Sequence, residues 1–104
     1  ISFGALASIN ICSKEFGNLI REKSKDSTVV YLERLLNLKE ALEGGEGNLP
    51  NVELIIKHLN SSIEDGNKLK EIRLTQSHHP SVNNIATDLS RSLIKLAMEF
   101  DKCH

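Results

Sequence analysis

In four stretches of this chain an apolar residue returns at alternating steps of four and three, the spacing that keeps one side of an α-helix turned toward a neighbour. The clearest runs Val82, Ala86, Leu89, Leu93, Leu96, Phe100 and leaves Asp88, Arg91, Lys95 and Glu99 for water. Stripes of this kind are buried by packing against one another, so the expected fold is all-α: an antiparallel four-helix up-down bundle. No β-alternation of useful length appears, and no repeat with a period of about 20 to 50 residues. At 104 residues the chain has apolar surface for one core, so residues 1–104 read as a single domain. It begins at Ile1 without a methionine and is expected to be a domain cut from a longer protein.

The first helix is expected over residues 3–25, with Ala5, Ile9, Cys12, Phe16 and Leu19 on its seam and Leu6 and Ile20 widening it. Gly17 interrupts it at a cost of about 1 kcal/mol relative to alanine. Asp26, Ser27 and Thr28 offer capping oxygens to a second helix whose stripe is Tyr31, Leu35, Leu38 and Leu42, flanked by Leu32 and Leu36. Gly44, Gly45 and Gly47 end it. Pro50 suits the first turn of a third helix with Val52, Ile56, Leu59 and Ile63 on its seam. There the register slips, since Leu69 falls about 120° from the stripe and Ile72 roughly opposite it. With Asp65, Gly66 and Asn67 forming a run of poor helix formers, the third helix is expected to show a broad face or to be kinked or split near Gly66. A polar stretch then leads to Pro80, which opens the fourth helix.

Charge and chemistry narrow the function classes. Thirteen basic against fourteen acidic residues leave a net charge of -1, so no global field draws in nucleic acid, and without tryptophan there is little aromatic surface to stack bases. The longest apolar run falls short of the roughly 20 residues of a membrane span. Cys12 and Cys103 would lie on the order of 14 Å apart along an up-down bundle, too far to bridge, and read as reduced thiols of an intracellular protein. His78 and His79 adjoin, as do Cys103 and His104, but the two pairs sit at opposite ends of the fourth helix, about 35 Å apart, so no metal is expected. His58 has no carboxylate or nucleophile spaced to orient it as a base. Gly44-Gly45-Glu46-Gly47 follows a helix and leads to Leu49-Pro50, as a turn does and a phosphate loop does not. Ser24, Ser27, Ser61 and Ser62 lack a partner pattern that would activate a hydroxyl. The expectation is a non-enzymatic domain without a cofactor.

Arg21, Lys23 and Lys25 form the most notable charge cluster, interleaved with Glu22 and Asp26 at the end of the first helix. Cations there complement the helix dipole without any ligand, and the same cluster is the candidate for contact with a membrane or a partner.

The stretch Tyr31-Leu32-Glu33-Arg34-Leu35-Leu36, then Asn48-Leu49-Pro50, Leu59-Asn60-Ser61-Ser62-Ile63-Glu64-Asp65-Gly66-Asn67, Lys70-Glu71-Ile72 and Val82-Asn83-Asn84-Ile85-Ala86-Thr87-Asp88-Leu89 resembles the amino-terminal four-helix bundles of mixed-lineage-kinase-domain-like pseudokinases and HeLo-like domains. That resemblance implies a cytoplasmic bundle that self-associates and engages a protein partner or an anionic membrane in cell-death or immune signalling, with Arg21, Lys23 and Lys25 as the contact residues. A second likeness is carried by Leu69-Lys70-Glu71-Ile72-Arg73 and residues 82–96. These are similar to the last helices of the TFIIS amino-terminal domain and the integrase-binding domain. It implies instead a nuclear scaffold for disordered acidic-hydrophobic peptides of transcription regulators. The path of residues 60–78 separates the two, because the first needs one long helix and the second two crossed ones.

Overall fold

A computed structural model describes residues 3–45, 49–75 and 80–102. These form α1 (Phe3–Glu22), α2 (Lys25–Glu43), α3 (Val52–Thr75) and α4 (Ser81–Asp101), with no strand among the described residues. Each helix packs on the next in sequence, α1 touches α4 least, and α2 lies diagonally across the bundle from α4 without contact. The result is the expected helical bundle, a rod of 40 × 19 × 19 Å. Its core takes Ile9, Cys12 and Leu19 from α1, Tyr31, Leu35, Leu38 and Leu42 from α2, Ile55, Leu59 and Leu69 from α3, and Leu89, Leu96 and Phe100 from α4. Phe16 meets the Tyr31 ring at 5.6 Å between centroids, a tilted aromatic pair.

Three of the expected helix boundaries move, each for a local reason. α1 stops at Glu22, not Lys25, because Lys23 takes φ 53, the left-handed turn that ends a helix. The N-cap of α2 is Ser24, ahead of the expected Asp26, Ser27 and Thr28, of which Ser27 takes part in the cap. Ser27 N donates to Ser24 Oγ at 3.1 Å while Ser24 N donates back to Ser27 Oγ at 3.3 Å, a reciprocal capping box. At the other end Gly44 caps α2 and Gly45 turns the chain at φ 88, the left-handed region that suits glycine. Gly47 lies outside the described residues. Pro50 sits in a turn ahead of α3, whose first carbonyl acceptor is Asn51 O, bonded by Ile55 N at 3.1 Å. Ile20 and Leu36, expected to widen their seams, are 39% and 50% exposed instead.

α3 runs as one helix through Gly66, so the expected split does not occur. Its buried positions are Ile55, Leu59, Ser62, Gly66, Leu69 and Arg73, an unbroken alternation of four and three. The apparent slip of register arose because three of these six positions are not apolar. Gly66 is there for contact: a Cβ on it would lie 2.5 Å from Leu32 Cδ2, so glycine lets α2 and α3 approach closely. Val52, Ile56 and Ile63, read as the seam itself, flank it and pack on the core from the side.

Candidate functional site

The α1–α2 corner brings the three expected cations to one end of the rod but assigns them different roles. Arg21 lies in the last turn of α1, where its charge favours the helix dipole. Its Nη2 donates to Asn18 Oδ1, and its Nη1 lies 3.2 Å from where a Cβ on Gly17 would be, so the guanidinium folds over bare backbone. Lys23 occupies the linker, and Lys25 is the first residue of α2, at that helix's positive end. A dipole explanation therefore covers Arg21 and fails for Lys25. All three are exposed, together with Ile20, Glu22 and Asp26, and the tip carries three cations against two acids.

Beneath this tip sits a fourth cation that sequence reasoning missed. Arg73 of α3 is buried at 7% exposure, and its Nη1 donates to Thr28 Oγ1 at 2.8 Å, Leu19 O at 3.1 Å and Ser24 O at 3.4 Å. One guanidinium thus ties the final carbonyl turn of α1 to the first turn of α2. Burial pushes its pKa down, and no carboxylate pairs with it among the described residues. What holds the charge is the negative end of α1 and a set of neutral oxygens. Its Nε has no partner. Extending the four-three register of Ile55, Leu59, Ser62, Gly66 and Leu69 by one step lands on Arg73 and is the signal that reveals it.

At the opposite end, Asn51 Nδ2 donates to Glu99 O at 2.9 Å and Glu99 Oε2 at 2.8 Å, and Lys102 Nζ donates to Glu99 Oε1 at 2.9 Å. These bonds hold the Glu99 carboxyl below its ordinary range, helped by the nearby His58. His58, half-buried, lies near that carboxyl. In the core, burial raises the Cys12 thiol to about 11 and pushes the Tyr31 phenol up as well, so neither is primed for chemistry.

A shallow pocket of about 140 Å³ lies between α1 and α2, lined by Ser8, Ile11, Arg34, Asn37 and Leu38, with no acid–base pair in it. Among the described residues no three metal-ligating side chains gather, and no helix is long and apolar enough to cross a membrane. His78, His79, Cys103 and His104 lie outside the described residues. With this geometry in hand, the chain matches no protein-family model, no curated protein and no solved structure.

Proposed function

We propose that this chain is a non-catalytic interaction domain whose basic tip, Arg21, Lys23 and Lys25 with Ile20 beside them, engages an anionic membrane surface or a protein partner in regulated signalling of the cell-death or immune type. The observation that carries the reading is the arrangement of that tip: exposed cations and an exposed isoleucine on a corner that Arg73 and the Ser24–Ser27 box tie together by hydrogen bonds. An apolar residue among cations is the combination that binds acidic lipid, through insertion and charge together. The unbroken α3 supports this reading over the transcription-scaffold alternative, which expects two crossed helices over residues 60–78.

Flotation with phosphatidylserine-containing vesicles tests the reading. Binding at low salt, lost in the triple variant Arg21→Glu, Lys23→Glu, Lys25→Glu and weakened in neutral phosphatidylcholine vesicles, is the expected result. Failure of the unaltered chain to float at low salt counts against it. The scaffold alternative draws on the pocket at Ile11 and Arg34, which pairs an apolar wall with a cation. It predicts micromolar binding of acidic-hydrophobic peptides, weakened by Arg34→Glu.

A further inference from the structure

Ser24 stands where the chain leaves one helix and enters the next. Among the described residues it is the single serine or threonine outside a helix, half-buried and with extended backbone at φ -110 and ψ 160. Ser27 and Thr28, its neighbours in the corner, are buried within α2. Arg21 lies three positions ahead of Ser24 and Lys23 one position ahead, both exposed. Protein kinases select substrates by the charge pattern around the hydroxyl, and cations on its amino side suit those with an acidic substrate groove.

The same corner offers a seat for the product. Arg73 Nη1 lies 3.4 Å from Ser24 O, so the Ser24 side chain is rooted beside that guanidinium. Arg73 is 7% exposed, its Nε has no partner, and no carboxylate pairs with it among the described residues. Ser24 Oγ already accepts from Ser27 N at 3.1 Å, across the first turn of α2, where a helix leaves its leading N–H groups without carbonyl acceptors. A phosphate placed at a helix N-terminus and opposite arginine gains charge-assisted hydrogen bonds and the favour of the dipole. Glu22 and Asp26 oppose it, and Arg21, Lys23 and Lys25 outnumber them.

We propose that Ser24 is a phosphorylation site, that its phosphate is held at the head of α2 by Arg73 and the flanking cations, and that the modification reverses the charge of the basic tip. The γ-phosphoryl group of a nucleoside triphosphate passes to Ser24 Oγ. Its bond to the β-phosphate oxygen breaks as the new P–Oγ bond forms, the nucleoside diphosphate leaves, and the hydroxyl proton goes to the kinase's catalytic aspartate. With about two negative charges added, the tip changes from one net positive charge to about one net negative. Release from acidic lipid follows, a consequence that rests on the membrane reading above.

Two preparations of the 104-residue chain test the proposal. In the first, the chain is incubated with magnesium-ATP and a kinase that reads arginine three positions before serine, and mass spectrometry locates the phosphate. It is expected on Ser24, at a rate lowered about tenfold or more by Arg21→Ala. In the second, phosphoserine is incorporated at the Ser24 position during synthesis. The phosphorylated chain should melt about 4 °C or more above the unmodified one by circular dichroism, and that gain should vanish in an Arg73→Met background. Where the methionine variant fails to fold, phosphorus NMR decides: the second ionisation of the phosphate should lie lower than in the same chain unfolded in urea. A kinase that leaves Ser24 unmodified, a melt that does not rise, a gain that survives Arg73→Met, or an ionisation no lower than in urea overturns the proposal. Flotation with phosphatidylserine-containing vesicles separates it from the membrane reading. An unmodified chain that does not float removes the membrane reading alone, and a phosphorylated chain that floats as well as the unmodified one overturns the charge switch.

Discussion

Replacing Arg73 with methionine keeps most of the side-chain volume and removes the cation, so it isolates the polar role at the α1–α2 corner. Hydrogen bonds from a charged donor contribute about 1.5 to 3 kcal/mol each when well formed, and two of the three made by Nη1 are at 3.1 Å or shorter. Two effects reduce the loss. Guanidinium burial costs desolvation that methionine does not incur, and the abandoned oxygens keep other partners: Lys23 N donates to Leu19 O at 3.3 Å, and Thr28 Oγ1 donates to Ser24 O at 2.9 Å. The balance favours a net cost of about 1 to 3 kcal/mol, which for a domain of this size lowers the melting temperature by roughly 4 to 20 °C. Arg73→Ala adds a cavity and should cost more than the methionine variant. The assay is thermal unfolding by circular dichroism, with amide exchange read over residues 19–28, where protection should drop first. A methionine variant as stable as the original or more so would refute the reasoning, because the bonds would then do no more than offset desolvation.

Three further outcomes follow from the packing and the titrating groups. Gly66→Ala should destabilise by about 1 to 3 kcal/mol through overlap with Leu32, and Leu32→Ala should relieve part of that penalty, giving a favourable coupling in a double-mutant denaturation cycle. The depressed pKa of Glu99 contributes stability that is complete above its ordinary value of 4.5 and is lost as pH falls through the lowered folded value. Denaturant midpoints of the original chain should therefore exceed those of Glu99→Gln at neutral pH and converge with them in acid. Cys12, with its thiol raised to about 11 and no exposed surface, should resist iodoacetamide at neutral pH until denaturant opens the core, as mass spectrometry of the peptide will show.

Much of the architecture was legible in the order of residues because apolar burial repeats along α1, α2 and α4. Ile9, Cys12 and Leu19, then Tyr31, Leu35, Leu38 and Leu42, then Leu89, Leu96 and Phe100 all lie where their spacing puts them. α3 was harder to read, since Ser62, Gly66 and Arg73 occupy seam positions without contributing apolar area. A pattern search weighted by hydropathy sees a gap there, whereas close helix approach needs a small residue and a corner full of carbonyls needs a donor. Ile20 and Leu36 err in the opposite direction: they are apolar but fall beyond the arc that the neighbouring helix covers. The basic cluster was visible by its letters, but its division between two helices depended on the left-handed Lys23, a backbone choice that lysine does not advertise.

The continuity of α3 carries the most weight, because it brings Arg73 to the corner and favours one functional reading over the other. Spin labels at Glu53 and Glu71, five helical turns apart on one face, in a Cys12→Ser, Cys103→Ser background, measure it by pulsed electron resonance. A straight helix sets their backbones about 27 Å apart, so a single distribution centred near that distance is expected. A centre below about 20 Å, or two populations, would mean that the chain turns at Gly66 and that the corner is not built as described.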